Sequence, residues 1–293
     1  MEVIADRAKL PDSRFADAWQ SIKIARSVQE RLIAQSLLAL TVRQKIPFEI
    51  APLHGLIVLS GPPGTGKTTL ARGLANEVAN ALSPKAVTFV QVDPHALTSS
   101  ALGRSQKEVT KLFQQTIPEM ATTGPVIVLL DEVETLIVDR HQLSLEANPI
   151  DVHRATDAAL AGLDLLTRQH RNVLLIATTN FPKALDGALL SRADLIEHIT
   201  PPDKAAREEI IKDVLKHLAQ HWSAVGHLEN DIKQFVDESE GLDGRRLRKS
   251  FIAAIASSIE TARDPNKLKA SDVVTALRAS RTNIKEVSDE NPA

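Results

Sequence analysis

Gly61-Pro62-Pro63-Gly64-Thr65-Gly66-Lys67-Thr68 constrains this chain more than any other stretch. It satisfies G-x-x-x-x-G-K-[ST] in full, directly after the apolar run Gly55–Ser60 and directly before a helical pattern over 67–82. Glycines at these positions let the backbone curl so that successive N–H groups point at one anion. The helix that opens at Lys67 adds the positive end of its dipole. Lys67 supplies a mobile charge for the outer phosphates, Thr68 can offer its hydroxyl to a magnesium ion, and Thr69 completes the set expected around the nucleotide. A strand, this loop and a helix in that order demand an α/β fold built to hold a nucleotide phosphate.

The rest of the chain agrees. Four apolar runs rich in Val, Ile and Leu, at Gly55–Ser60, Val87–Val92, Val126–Leu130 and Val173–Ala177, read as strands buried on both faces. A weaker fifth, Leu195–Ile199, precedes Pro201-Pro202. Helical patterns over 67–82, 105–116 and 152–169 separate the runs, and another spans Asp17 to Leu40. Strands alternating with helices predict a five-stranded parallel sheet covered on both faces. Beyond Pro201-Pro202 the pattern is helical only. The expected layout is an arm at 1–14, an α/β domain at 15–200, a small all-helical domain at 201–285 and a frayed tail at 286–293.

Two further places carry chemistry. The run Val126–Leu130 ends in Asp131-Glu132, and a carboxylate at the C-terminal end of a parallel strand faces the crevice where α/β ligands bind. Asp131 is the expected magnesium residue, largely through water. Glu132 is the expected group that orients or deprotonates an attacking water. Glu134 is read as support for the local turn. Asn180 follows the next strand, where an amide can bond a terminal phosphate or that water. His217 and His221 stand four apart on a helical stretch, but with Leu218 after His217 and no third ligand they read as a solvated face rather than a metal site.

With these residues in place, the chain resembles the AAA+ ATPases from about Trp19 to about Ile255. The loop, the acidic pair and Asn180 resemble Walker A, Walker B and sensor 1. Three longer segments resemble the pachytene-checkpoint ATPases, which remodel HORMA-domain proteins. These are Leu130–Leu136, the Ser191-Arg192-Ala193-Asp194 stretch, and Ser239-Glu240-Gly241-Leu242-Asp243-Gly244-Arg245-Arg246-Leu247-Arg248-Lys249. The resemblance implies a homo-hexameric ring that uses ATP to pull a protein segment through its pore, with the post-sheet domain acting as a helical lid. It assigns Arg192 as an arginine finger acting on a neighbouring subunit and Arg245 as sensor 2, leaving Arg246, Arg248 and Lys249 as mostly structural. Ile22 is the candidate adenine contact. Ala101-Leu102-Gly103 aligns with the pore loop, where Ala101 replaces the usual aromatic and Leu102 is left as the apolar grip. This implies limited remodelling. About fifty residues precede the first strand, so the resemblance is to short bacterial forms encoded beside a HORMA protein and a cyclic-oligonucleotide synthase in anti-phage systems.

Composition narrows the classes. Basic residues number 35 and acidic ones 37, for a formal charge of -2, which lacks the electrostatic footprint of a dedicated nucleic-acid binder. Aromatics are 3% of residues, too few for a base-stacking platform, so a DNA-directed helicase loader or clamp-loader subunit is the weaker alternative. With 0 Cys, disulfides, thiolate metal sites and cysteine catalysis are excluded. No apolar run approaches membrane-spanning length, and the first residues do not form a signal peptide, so no membrane partner and a cytoplasmic location are expected.

Overall fold

The computed structural model describes residues 3–98, 104–137 and 149–290. Strands β1 (Ile4–Leu10), β2 (Leu56–Ser60), β3 (Val87–Val92), β4 (Val126–Leu130), β5 (Val173–Thr179) and β6 (Leu195–His198) form one sheet in the order β1-β3-β4-β5-β2-β6. The pairs β3–β4, β4–β5, β5–β2 and β2–β6 are all parallel. These five strands are the parallel sheet that the apolar runs predict. Every residue of β2, β4 and β5 is buried, which is why these strands read as continuous apolar runs rather than alternating ones.

One strand was not foreseen. β1 pairs antiparallel with β3 through the stretch expected to be a patternless arm. Its alternate positions Ile4, Asp6, Ala8 and Leu10 are the more buried ones. Asp6 interrupts the apolar alternation and is partnered by Arg72 Nη2 at 2.6 Å. An inward carboxylate with a cation waiting for it on another element is invisible to a hydrophobicity pattern.

The helices of the first half are α1 (Ser13–Ser21), α2 (Arg26–Leu40), α3 (Lys67–Ala81), α4 (Pro94–Thr98), α5 (Arg104–Lys111), α6 (Ile117–Ala121), α7 (Pro149–Gln169) and α8 (Gly187–Leu190). The single helical pattern read over Asp17 to Leu40 is two helices, parted at 22–25, where Ala25 adopts φ -56° and ψ 137°. On the sheet, a core of mostly Val and Leu side chains from β2 to β5 packs against Phe113, Ile117, Leu160, Leu163 and Leu166. Burying side chains of this size stabilises by roughly 1.5–3 kcal/mol each before the entropy of ordering them is counted.

Among the described residues, five α-helices follow Pro201-Pro202: α9 (Lys204–His221), α10 (Ile232–Glu238), α11 (Gly244–Ile255), α12 (Ile259–Arg263) and α13 (Ala270–Glu290). Side-chain caps start several of them: Asp203 accepts from Ala206 N–H, Asp243 from Arg246 N–H and Ser258 from Thr261 N–H. Phe235 and Phe251 meet edge to face, 5.8 Å apart, inside their shared core. The chain divides into two compact units. One comprises 1–20, 25–62 and 67–199, and the other 21–24, 63–66 and 200–293. The helical unit therefore takes in two short pieces of the N-terminal sequence, around Ile22 and at the tip of the phosphate loop.

Candidate active site

Within the sheet unit, the ends of β2, β4 and β5 bring together residues far apart in sequence. Gly61 follows β2 at φ +146°, and a Cβ there would lie 2.2 Å from the Ile199 carbonyl oxygen, so only glycine fits. Lys67 is 6% exposed, and its ammonium donates to the carbonyls of Gly61 at 2.7 Å and Pro62 at 2.9 Å, and to Asn180 Oδ1 at 2.8 Å. Asn180 Nδ2 reaches Glu132 Oε1 at 3.5 Å. The lysine, the amide and the carboxylate expected to meet around a terminal phosphate thus lie in one chain of contacts.

The expected magnesium residues also converge. Thr68 Oγ1 donates to Asp131 Oδ1 at 2.7 Å. Two oxygens aimed at one place are the donor chemistry of a hard cation. No cluster of three or more His, Cys, Asp or Glu suited to a metal occurs among the described residues. A cation held here would therefore draw its other ligands from phosphate and water, as magnesium commonly does. His217 Nδ1 lies 2.8 Å from its own helix's Asp213 carbonyl, in keeping with the solvated-face reading.

Glu132 is the sole non-glycine residue with positive φ among the described residues, at +52°. A side chain in the left-handed region costs of order 1–3 kcal/mol, and such residues cluster at functional sites. Three residues that sequence reasoning passed over or underread hold this turn. Thr178 Oγ1 donates to Asp131 Oδ1 at 2.5 Å and accepts from the Glu132 N–H at 3.1 Å. Glu134 Oε1 accepts the Asn180 N–H at 3.0 Å, so this residue ties its turn to the end of β5. Its Oε2 is buried with no hydrogen-bond partner among the described residues. His95 Nε2 lies 3.3 Å from Glu132 Oε2. The signal for Thr178 was present: hydroxyl residues end an otherwise aliphatic strand, beside two acids one strand away. Nothing local marked His95.

Arg192 follows α8. Its Nε donates to Asp164 Oδ1 at 2.7 Å, its Nη2 to Asp164 Oδ2 at 2.8 Å and its Nη1 to the Ala188 carbonyl at 2.7 Å. The Arg192 hydrogen bonds hold the Asp164 carboxyl below its ordinary value, and the same bonds raise Arg192. Asp194, two residues on, accepts the N–H groups of His54 at 2.8 Å, Gly55 at 2.6 Å and Leu56 at 3.3 Å. It thereby ties the segment carrying Arg192 to the start of β2. Arg43 is 1% exposed and donates to the carbonyls of Ala39 at 3.1 Å, Arg171 at 3.0 Å, His54 and Val173. Burial pushes this guanidinium down to about 10, so it is still a cation at neutral pH.

Within the helical unit, the loop tip and Ile22 are in contact. Gly66 has φ +88°, and a Cβ there would lie 2.4 Å from Ile22 Cδ1. A Cβ at Gly64 would lie 2.4 Å from Asp243 Oδ1. Arg245 is exposed, and its backbone N–H donates to the Gly64 carbonyl at 3.4 Å. Arg248, read as structural, is half-buried and donates to the Ser21 carbonyl at 2.6 Å and the Gly244 carbonyl at 3.2 Å. Ala101, Leu102 and Gly103, the expected pore residues, lie outside the described residues.

Comparison with known proteins identifies the family. Residues 57–201 match the family described as ATPase family associated with various cellular activities (AAA). The chain is 47% identical over 276 residues to the CD-NTase-associated protein 6 of Pseudomonas aeruginosa, covering 93% of this chain and 90% of that protein. It is 30% identical over 284 residues to the rat pachytene checkpoint protein 2 homologue, covering 88% of this chain but only 65% of that protein. Among solved structures, the PCH-2 protein of C. elegans is similar with a TM-score of 0.75 and 25% identity, covering 96% of this chain and 75% of that one. A chain from an E. coli HORMA:CdnC:Trip13 complex shares the fold with a TM-score of 0.75 at 20% identity, covering 94% of each chain. No described helix is long and apolar enough to cross a membrane. The chain belongs to the AAA ATPases, in the branch that includes the CD-NTase-associated protein 6 and the pachytene checkpoint proteins.

Proposed function

We propose that this ATPase assembles as a homo-hexameric ring in the cytoplasm and uses ATP hydrolysis to remodel a HORMA-domain protein that works with a cyclic-oligonucleotide synthase in anti-phage signalling. The observation that carries the reading is 47% identity over 93% of the chain to a CD-NTase-associated protein, and the contacts from Lys67 to Asn180 and from Asn180 to Glu132 support it. A related fold in a complex named for HORMA, CdnC and Trip13 supports the choice of partner.

The residues divide the work by their chemistry. The loop from Gly61 to Gly66, with Thr69, binds the phosphates, and Lys67 neutralises their outer charge. Thr68 and Asp131 would hold magnesium, which when bound supplies charge stabilisation on the phosphate oxygens. Glu132 orients the attacking water and takes its proton. Asn180, in contact with both Lys67 and Glu132, links the presence of a terminal phosphate to the position of the base. Arg192 serves a neighbouring subunit's phosphate in trans. Arg245 reports nucleotide state to the lid, and Ile22 contacts adenine beside Gly66. Ala101, Leu102 and Gly103 grip the partner.

The test is Glu132→Gln, which keeps the size of the side chain and removes the base. It should bind ATP with wild-type affinity and hydrolyse it at least about 100-fold more slowly. Used as a trap in the native host, it should retain a HORMA-fold protein. Turnover at the wild-type rate would refute the role of Glu132. A slow variant that captures no HORMA-fold protein would refute the partner and leave the ATPase standing.

A further inference from the structure

Asp164 lies on α7, away from every motif by which the chain is recognised. It is nevertheless the carboxylate partner of Arg192. The contact is two-pronged: Nε to Oδ1 at 2.7 Å and Nη2 to Oδ2 at 2.8 Å. A parallel pair of this kind fixes the guanidinium plane as well as its position. The Ala188 carbonyl takes a third donor, on Nη1 at 2.7 Å. These three bonds occupy the side of the guanidinium. One N–H on each terminal nitrogen has no partner among the described residues. Those two N–H groups form the end-on fork with which an arginine holds a pair of phosphate oxygens.

A finger that acts across a subunit boundary must be held still by its own subunit. A long, unbranched side chain loses rotamer entropy when ordered, and any part lost in advance is not lost at the transition state. From this geometry we propose that Asp164 is the positioning residue for Arg192, holding the guanidinium plane so that its free end is presented to the neighbouring subunit's nucleotide. The inference rests on the proposed trans role of Arg192. Asp164 touches no nucleotide itself and acts only through that side chain. The alternative is a latch, in which the carboxylate withholds the arginine, and it predicts the opposite sign.

Asp164→Asn keeps one acceptor but sets an amide N–H₂ against a donor, so the guanidinium can pivot. The expected result is about a tenfold fall in kcat with KM for ATP unchanged and with ring size unchanged by light scattering. Asp164→Glu, which restores the carboxylate, should recover part of the loss. The double variant with Arg192→Ala should be no slower than Arg192→Ala alone, since both changes remove one function. The decisive measurement mixes subunits. Adding an excess of Glu132→Gln subunits supplies intact fingers, so activity per Asp164→Asn subunit should rise, as it should for Arg192→Ala subunits run in parallel. If Arg192→Ala recovers on mixing and Asp164→Asn does not, Asp164 acts within its own subunit and the proposal is overturned. If Asp164→Asn is as fast as wild type or faster, the positioning role is equally overturned. If neither recovers, the trans role of Arg192 fails, and this inference falls with it.

Discussion

Thr178→Val isolates one hydroxyl at the centre of the site. Thr178 is 1% exposed, near the end of β5, and its hydroxyl both donates to Asp131 and supports the Glu132 amide. Valine keeps the branched shape and the strand preference, so the backbone has no reason to move on steric grounds. The bond to the Asp131 carboxylate is of the charged kind, worth about 1.5–3 kcal/mol, and the part-buried Glu132 amide left unpaired costs at most about 1–3 kcal/mol. Against this, the added methyl returns roughly 0.8 kcal/mol. Asp131 also keeps its bond from Thr68 at 2.7 Å, which places the net loss toward the low end, about 2 kcal/mol. If all of that is lost from the positioning of Glu132, which sits at a strained φ of +52°, kcat falls about 30-fold. The assay is steady-state ATP hydrolysis beside nucleotide affinity and urea unfolding. Thr178→Ser should restore most of the rate. A Thr178→Val enzyme that turns over at the wild-type rate with unchanged stability would refute the claim that this hydroxyl holds the acidic pair.

Two further outcomes follow from charges in the sheet unit. Arg43→Met should destabilise the chain by about 2–4 kcal/mol, read by urea unfolding, because carbonyls that now bond a cation are left with none. Relief of the buried charge works the other way, so equal or higher stability would show that desolvation outweighs those bonds. The Asp164 carboxyl is held below its ordinary value of 3.8 by the Arg192 hydrogen bonds, with His54 and Arg168 adding smaller pulls in the same direction. A carboxyl lowered on folding contributes stability that is present above its unfolded value and lost as pH falls through its lower folded value. The Arg192 pair should therefore be intact throughout the near-neutral range, and a carboxyl NMR titration of Asp164 should show its midpoint below 3.8. A midpoint above that value would refute the pairing.

Much of the site was legible because its chemistry is local. Lys67, Thr68, Asp131, Glu132 and Asn180 each stand at the end of a strand or the start of a helix, and the apolar runs mark those ends. Their meeting is then a matter of sheet order, and the structure has Lys67 bonded to Asn180 and Thr68 to Asp131. The partners that aim these groups were not legible. Asp164 lies 28 positions before Arg192, and Asp6 lies 66 before Arg72. A polar residue in a helix or edge strand reads as solvated until its partner is known.

The amino-acid sequence by itself determined the parallel α/β unit, the nucleotide loop, the two acids and the amide, and the change to helices after Pro201-Pro202. Burial pattern and backbone chemistry act over a few residues, so these can be read in order along the chain. Only the tertiary structure decided that β1 completes the sheet, that Ile22 lies against Gly66, that Arg248 rather than Arg245 bonds the Ser21 carbonyl, and that Asp164 holds Arg192. Each of these depends on which distant segments meet. Hydrogen bonds and ion pairs form over about 3 Å whatever the separation in sequence, and no local pattern records them.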